Sequence, residues 1–448
     1  MSQDKHSKVT EGDINYSLER DLWNTNHTDK ETISLLEKDA RYFLHQSMST
    51  PCLDVLQNCE GVFIENIEGK KYLDFHGNNV HQIGFSNPLL VERLTEQLKK
   101  LTFSTRRYTN EAAINFAEKL ASLTPSDLNK VLLTPNGSSA VGMALKLARA
   151  VTKKFKVVSF WDSFHGASLD TISVGGEANF REYMGPLMPG VERIPPPVSY
   201  RGIFEGNEDK CLEYLEYVFK KEGEIGAFIA ETIRNTDVQI PSLHFWKEAR
   251  ELCNKYGVLL ILDEIPIALG RTGKMFAFEN YDIEPDILCL GKGLGGGIFP
   301  QAAIITRDQF NNFGDISLGH YTHEKSPLGA IAGLTTIEII ENEGLLKKVL
   351  DDEIYVKNAL EKLKDKYEII GGVRGIGLLW GIELVKDRKT KEKALSEAEK
   401  LMYECLKKGL SFKVSAGNVI QLSPALTISK DELDIALTIL DKSLSIIH

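Results

Sequence analysis

The chain has only six cysteines in 448 residues, and none stands in a C-x-x-C pair or beside a cluster of histidines. That scarcity excludes a zinc ribbon and a disulfide framework, so no metal site is expected and a reducing cytosol fits best. No apolar run reaches bilayer length, and the opening MSQDKHSKVTEGDINY lacks the apolar core of a secretory signal. A cytoplasmic protein with no membrane partner is therefore expected. Basic blocks are missing too: 53 Lys and Arg are interspersed with 63 Asp and Glu, for a net charge of −10. This argues against nucleic-acid binding while leaving room for local sites that hold small anions. There is no internal repeat and no low-complexity segment.

What is present is 42% hydrophobic content in a chain long enough for more than one domain. The first two dozen residues are polar and aperiodic and read as an arm. Thr28-Asp29-Lys30-Glu31 has the form of a capping box ahead of Ile33, Leu36, Ala40, Phe43 and Leu44 at helical spacing. GVFIENIEGKKYLDF then reads as a hairpin turning at Glu68-Gly69. From about residue 110 helical stretches (AAINFAEKLASL, SAVGMALKLARAVT) alternate with short apolar runs: KVVSF, GAFIAE, GVLLILDE, DILCLGKG and QAAIIT. Such runs suit strands buried on both faces of a mainly parallel sheet. The fold class is α/β, with arm, helix and hairpin over residues 1–75, a large domain over 76–335, and a smaller α+β domain over 336–448 that the hairpin joins.

Lys292 sits among glycines in LGKGLGGGIFP. A P-loop requires Ser or Thr after its lysine, as a ligand for magnesium, and Gly293 occupies that position. A dinucleotide loop requires a helix where Pro300 stands. The strand ends make a different site. Phe164-His165-Gly166 follows KVVSF, Glu231 ends GAFIAE, Asp263-Glu264 ends GVLLILDE, and Lys292 follows DILCL. A lysine for an imine, a carboxylate for a ring nitrogen and an aromatic cover are what pyridoxal 5′-phosphate requires. Asn136-Gly137-Ser138-Ser139, at the start of a helical run, is a candidate phosphate cup.

Six motifs in order, TPNGSSAVGMALKLARA, SFWDSFHGASL, LLILDEIPIALGRTGKMFA, ILCLGKGLGGGIFPQAAI, GHYTHEKSPLGAIA and QLSPALTIS, resemble the class III, or ω-amino-acid, aminotransferases among fold-type I pyridoxal-phosphate enzymes. The likeness runs from about residue 35 to the C-terminus. It implies Lys292 as the Schiff-base lysine, Asp263 as partner of the pyridine nitrogen and Phe164 as the stacking ring. It also implies Gly137 and Ser138 as the phosphate cup, and Glu231 and Ile265 against the cofactor. Thr322 matches a threonine lent to the neighbouring subunit's phosphate, which implies a homodimer.

The chain also departs from that family. Where its pattern is D-E-V-Q this sequence has Asp263-Glu264-Ile265-Pro266, and proline removes the amide that contacts the cofactor's phenolic oxygen. E-P-V-Q-G becomes Glu231-Thr232-Ile233-Arg234-Asn235, making Arg234 a candidate either to replace that donor or to bind an anionic substrate group. Ser139 replaces an acidic residue in the cup helix. FSTRRYTNEAA places Arg107 where the family's phosphorylated-amine lyases carry an arginine, a side chain suited to phosphate or phosphonate. With FHGNNVHQIGFSNP, these features resemble most closely the branch of ammonia-lyases acting on (R)-1-hydroxy-2-aminoethylphosphonate. The expected chemistry is proton removal by Lys292 and loss of the adjacent hydroxyl, giving ammonia and phosphonoacetaldehyde. An ω-aminotransferase and a cofactor-binding protein without turnover are the other two readings.

Each residue also has a structural reading. Lys292 alone is a solvated loop lysine, Asp263 a cap, and Phe164 core. For Arg106, Arg107 and Arg234 an ion pair stands level with substrate binding. Arg271, Arg374, His81, His165, His320 and His323 read as structural.

Overall fold

In the run IGAFIAE every residue is buried, so both faces of this strand meet other layers of the protein. The computed structural model describes residues 17–46 and 52–447. Among them a seven-stranded sheet contains that strand. We number its strands β1 (Leu128–Thr134), β2 (Lys156–Phe160), β3 (Val191–Ile194), β4 (Ile225–Glu231), β5 (Leu259–Asp263), β6 (Ile287–Leu290) and β7 (Ala302–Arg307). Their spatial order is β1-β7-β6-β5-β4-β2-β3. Parallel pairing joins β3, β2, β4, β5 and β6, whereas β7 runs antiparallel to both neighbours. The mainly parallel α/β fold read from the sequence is thus the fold observed.

The helix Gly137–Thr152 lies on this sheet. Ala140, Val141, Ala144, Leu145 and Ala148 form one core with Val157, Ala227, Ile229, Ile261, Ile287 and Ile304. Each fully buried Val, Leu or Ile contributes about 1.5–3 kcal/mol, so this layer stabilises the ends of β4, β5 and β6 together. Gly142 lets a second helix, Leu169–Val174, come close: a Cβ there would lie 2.5 Å from Asp170 Oδ2.

By compactness the chain divides into two units: Asn78–Asn235 with Gln239–Val349, which holds the seven-stranded sheet, and Met1–Gly77 with Thr236–Val238 and Leu350–His448. The division falls inside the helix Leu345–Lys366. In the second unit the strands Phe63–Asn66 and Lys71–Asp74 form the hairpin read from the sequence, and Leu410–Ser411 adds to it in parallel. Arg374, read as structural, donates to the carbonyls of Asp237 and Val238 and pairs with Glu383.

Two local expectations are corrected. Regular structure begins earlier than expected, with the helix Leu18–His27, because Trp23 is buried against Tyr403 and beneath Lys70, a contact made by distant residues. The next helix, Lys30–Tyr42, is capped by Asp29 rather than Thr28: the Asp29 carboxylate accepts the Thr32 N–H at 2.7 Å, and Thr28 ends the preceding helix. Phe43 and Leu44 lie beyond its end and are exposed. The rest of the polar arm, residues 1–16, lies outside the described residues. None of the described helices is long and apolar enough to cross a membrane.

Candidate functional site

The carboxyl ends of β2, β4, β5 and β6 open on one edge of the sheet, which is where ligands sit in open α/β folds. Lys292 leaves β6 at the head of a single 3₁₀ turn, Lys292–Gly295. Its φ is +46°, a left-handed conformation that a lysine adopts only when its surroundings impose it. The surroundings are tight. A Cβ on Gly291 would lie 3.2 Å from Ile265 Cγ2, and one on Gly293 would lie 2.0 Å from Gln82 Oε1. Close packing on both sides thus fixes where the lysine stem starts.

Asp263 ends β5 and is 2% exposed. Its Oδ1 accepts the Ile265 N–H at 3.1 Å, and its Oδ2 faces His165 Nδ1 at 2.8 Å, with the imidazole also buried. His165 Nε2 has no hydrogen-bond partner among the described residues. Glu231 ends β4 and accepts two backbone N–H groups, Phe164 at 3.2 Å and Asn235 at 3.1 Å. Burial pushes its carboxyl upward, as does Asp263, while His165 and Arg234 pull it down. Glu264, adjacent to Asp263, turns to the other side. It accepts from the Thr232 hydroxyl and from the Ala277 and Phe278 N–H groups, closing the following loop rather than joining Asp263.

At the end of β1, Asn136 caps the helix and accepts the Ser139 N–H at 2.9 Å. The Gly137 and Ser138 N–H groups precede the first intrahelical acceptor and stand at the positive end of the helix. Ile265 lies against this end as well: a Cβ on Gly137 would be 2.9 Å from its Cδ1. The Ser138 hydroxyl accepts the Ala167 N–H at 3.2 Å and would lie 2.4 Å from a Cβ on Gly166, whose φ is +129°. Phe164, half-buried, packs on Phe180 with ring centroids 4.7 Å apart. Lys292, Asp263, Glu231, Ile265, Gly137, Ser138 and Phe164 are therefore linked through direct contacts or shared neighbours.

Arg234 approaches this group from the side. Its guanidinium stands 3.8 Å from Glu177, its side chain is 14% exposed, and its backbone bridges to Gln239. Glu231, Arg234, Phe160, Ser163 and Gln239 line one small cavity. Arg107 and Thr322 are exposed and lie on two loops that pack on each other. Arg106 faces Glu324 at 3.8 Å, Phe103 meets His323 edge-on, and Asn110 donates to the Lys325 carbonyl. None of these contacts reaches the strand-end group.

Sequence reasoning did not single out Glu177, Phe180, Asn79 or Gln82. The last two lie in the FHGNNVHQIGF stretch, whose departure from the family pattern was the available signal. For Glu177 and Phe180 there was none.

The family described as aminotransferase class-III matches residues 45–444. An (R)-1-hydroxy-2-aminoethylphosphonate ammonia-lyase of Vibrio splendidus is 56% identical over 454 residues, covering 97% of this chain and 95% of that protein. A leucine/methionine racemase of Thermococcus litoralis is 35% identical over 424 residues, covering 92% and 95%. Among solved structures, taurine:2-oxoglutarate aminotransferase from Bifidobacterium kashiwanohense, in complex with PLP and glutamate, superposes with a TM-score of 0.87. It is 25% identical, over 93% of this chain and 98% of that one.

Proposed function

Since the chain belongs to the class III aminotransferase family, we propose that it is an ammonia-lyase converting (R)-1-hydroxy-2-aminoethylphosphonate to ammonia and phosphonoacetaldehyde, with pyridoxal 5′-phosphate as cofactor. The observation that carries this reading is the 56% identity to the Vibrio enzyme over nearly the whole of both chains.

The residues present fit the cofactor. A buried carboxylate at Asp263, helix-end N–H groups at Gly137 and Ser138, and a lysine held between glycine contacts offer the donor set it needs. Bound there, pyridoxal phosphate supplies an aldehyde carbon for amines and a protonated ring that accepts an electron pair. Asp263, held by the Ile265 N–H and aligned by His165, would hold a proton on the ring nitrogen. The Gly137 and Ser138 N–H groups would hold the phosphate at the helix end, with Ile265 beside the cofactor and Phe164, backed by Phe180, as its aromatic cover.

Lys292 serves as the base that removes the proton from the amine-bearing carbon. The hydroxyl leaves the neighbouring carbon as water by taking the proton that Lys292 has accepted, and a returning water releases ammonia and leaves the aldehyde. Glu231 ties the Phe164 and Asn235 backbones together. Arg234, 3.8 Å from Glu177 and lining the same small cavity as Glu231, is placed either to replace the missing amide donor or to bind the substrate's anionic group, and its position beside Glu231 supports that reading.

In this reading Thr322 serves the phosphate of a second subunit and Arg107 the phosphonate there. Their exposed positions on paired loops away from the strand-end group support that assignment, and with it a homodimer. A cytoplasmic location belongs to the same reading and is supported by six free cysteines.

The test is to incubate purified protein with the aminophosphonate and no keto acid. Ammonia and aldehyde should form over many turnovers, and Lys292→Ala should abolish both. Faster amino transfer to pyruvate or 2-oxoglutarate, or racemisation of an amino acid without ammonia release, would replace the lyase reading.

A further inference from the structure

We infer that Asn79 determines specificity for the substrate's hydroxyl by offering it a carboxamide oxygen, an inference that rests on the ammonia-lyase reading above. The segment around it lies along the glycine run that carries Lys292. A Cβ on Gly293 would meet the Gln82 amide, one on Gly296 would lie 3.4 Å from Ile83, and one on Gly297 would lie 3.3 Å from the Val80 carbonyl. At the head of this segment Asn79 is 2% exposed and donates from Nδ2 to Asn235 Oδ1 at 3.3 Å. Asn235 in turn gives its N–H to Glu231. Asn79 thus stands between the Lys292 turn and the end of β4.

Its backbone is held in an uncommon state. Asn78 and Asn79 have φ of +46° and +58°, a left-handed pair that asparagine tolerates better than most residues. With Nδ2 engaged by Asn235, the side chain presents Oδ1, and among the described residues no donor reaches that atom. A buried acceptor without a donor is costly, and a bound group that supplies one removes the deficit.

The substrate's chemistry selects the donor. Its amine is the group engaged at the Lys292 end, and its phosphonate dianion only accepts hydrogen bonds, so a carboxamide oxygen repels it. The hydroxyl beside phosphorus is the remaining donor. Because Asn79 accepts rather than donates, it recognises and orients this hydroxyl and does not protonate it as it leaves.

The test compares two ligands, (R)-1-hydroxy-2-aminoethylphosphonate and its analogue without the hydroxyl, 2-aminoethylphosphonate. Calorimetric binding is measured on the cofactor-loaded Lys292→Ala protein, which cannot remove the proton. Adding Asn79→Gly, which keeps the left-handed backbone and deletes the acceptor, should weaken the hydroxylated ligand about tenfold and the analogue less than about twofold. Adding Asn79→Asp, which keeps an acceptor oxygen, should preserve the ratio between the two ligands. If Asn79→Gly shifts both ligands equally, or neither, the inference is overturned. Should the chain with Lys292 intact release no ammonia from the hydroxylated compound, the lyase reading itself fails and takes this inference with it. Ammonia release together with an unchanged ligand ratio removes only the role of Asn79.

Discussion

Replacing His165 tests how the site holds a buried carboxylate in place. Asp263 is 2% exposed and has two protein contacts to its oxygens, the Ile265 N–H at 3.1 Å and His165 Nδ1 at 2.8 Å. His165→Leu deletes the second. A hydrogen bond to a charged group contributes about 1.5–3 kcal/mol, a factor of roughly 10 to 150 in an equilibrium constant. His165→Asn puts an amide N–H near the position of Nδ1 and should restore most of that factor, although it too loses ring packing.

The assay is equilibrium binding of pyridoxal phosphate to apo protein, followed by visible absorbance, with melting curves recorded in parallel. His165→Leu should weaken binding tenfold or more, and His165→Asn by no more than about threefold. Equal binding by the two variants would refute the reasoning, because it would mean that His165 acts through packing alone.

Gly293→Ala places a methyl 2.0 Å from Gln82 Oε1 in a buried layer and should destabilise the protein by about 1–3 kcal/mol in denaturant titrations, with Gln82→Ala in the same chain recovering most of the loss. Burial pushes the Glu264 carboxyl up from its ordinary value of 4.5 to about 7, against three hydrogen-bond donors. A carboxyl raised on folding contributes stability that is fully present below its unfolded pKa and is lost as pH rises through the folded one. Denaturation midpoints of wild type should therefore fall between about pH 4.5 and 7, relative to Glu264→Gln, whose profile should be flatter there. Mixing Lys292→Ala chains with Thr322→Val chains and allowing subunits to exchange should yield hybrids with one intact site, bringing ammonia release to about a quarter of wild type. Activity no higher than the mean of the two separate variants would show that Thr322 serves its own subunit.

Much of the large unit was legible because its strands are buried on both faces. IGAFIAE, LLILD and ILCL are short, apolar and bounded by polar or glycine residues, so their ends, and the chemistry at those ends, followed directly. The strands β1, LNKVLLT, and β3, VERI, were not picked out as runs. They form the two edges of the sheet, and an edge strand mixes polar with apolar residues. The helix Leu18–His27 was missed for a related reason, since its stability comes from burying Trp23 on residues far along the chain.

By itself the sequence determined the class of site: a lysine, a carboxylate and an aromatic at strand ends, with glycine and serine opening a helix. Order along the chain was enough, because each feature belongs to a single strand or loop and local periodicity reports it. The tertiary structure decided which groups face one another. Asp263 and Glu264 are neighbours in sequence, yet only Asp263 meets His165, while Glu264 closes a loop. His165 and Asp263 are 98 residues apart, Asn79 and Asn235 are 156 apart, and Gln82 reaches Gly293. No local pattern encodes such pairings. They arise from the order β6-β5-β4-β2 in the sheet and from the close approach that glycine permits beside Lys292.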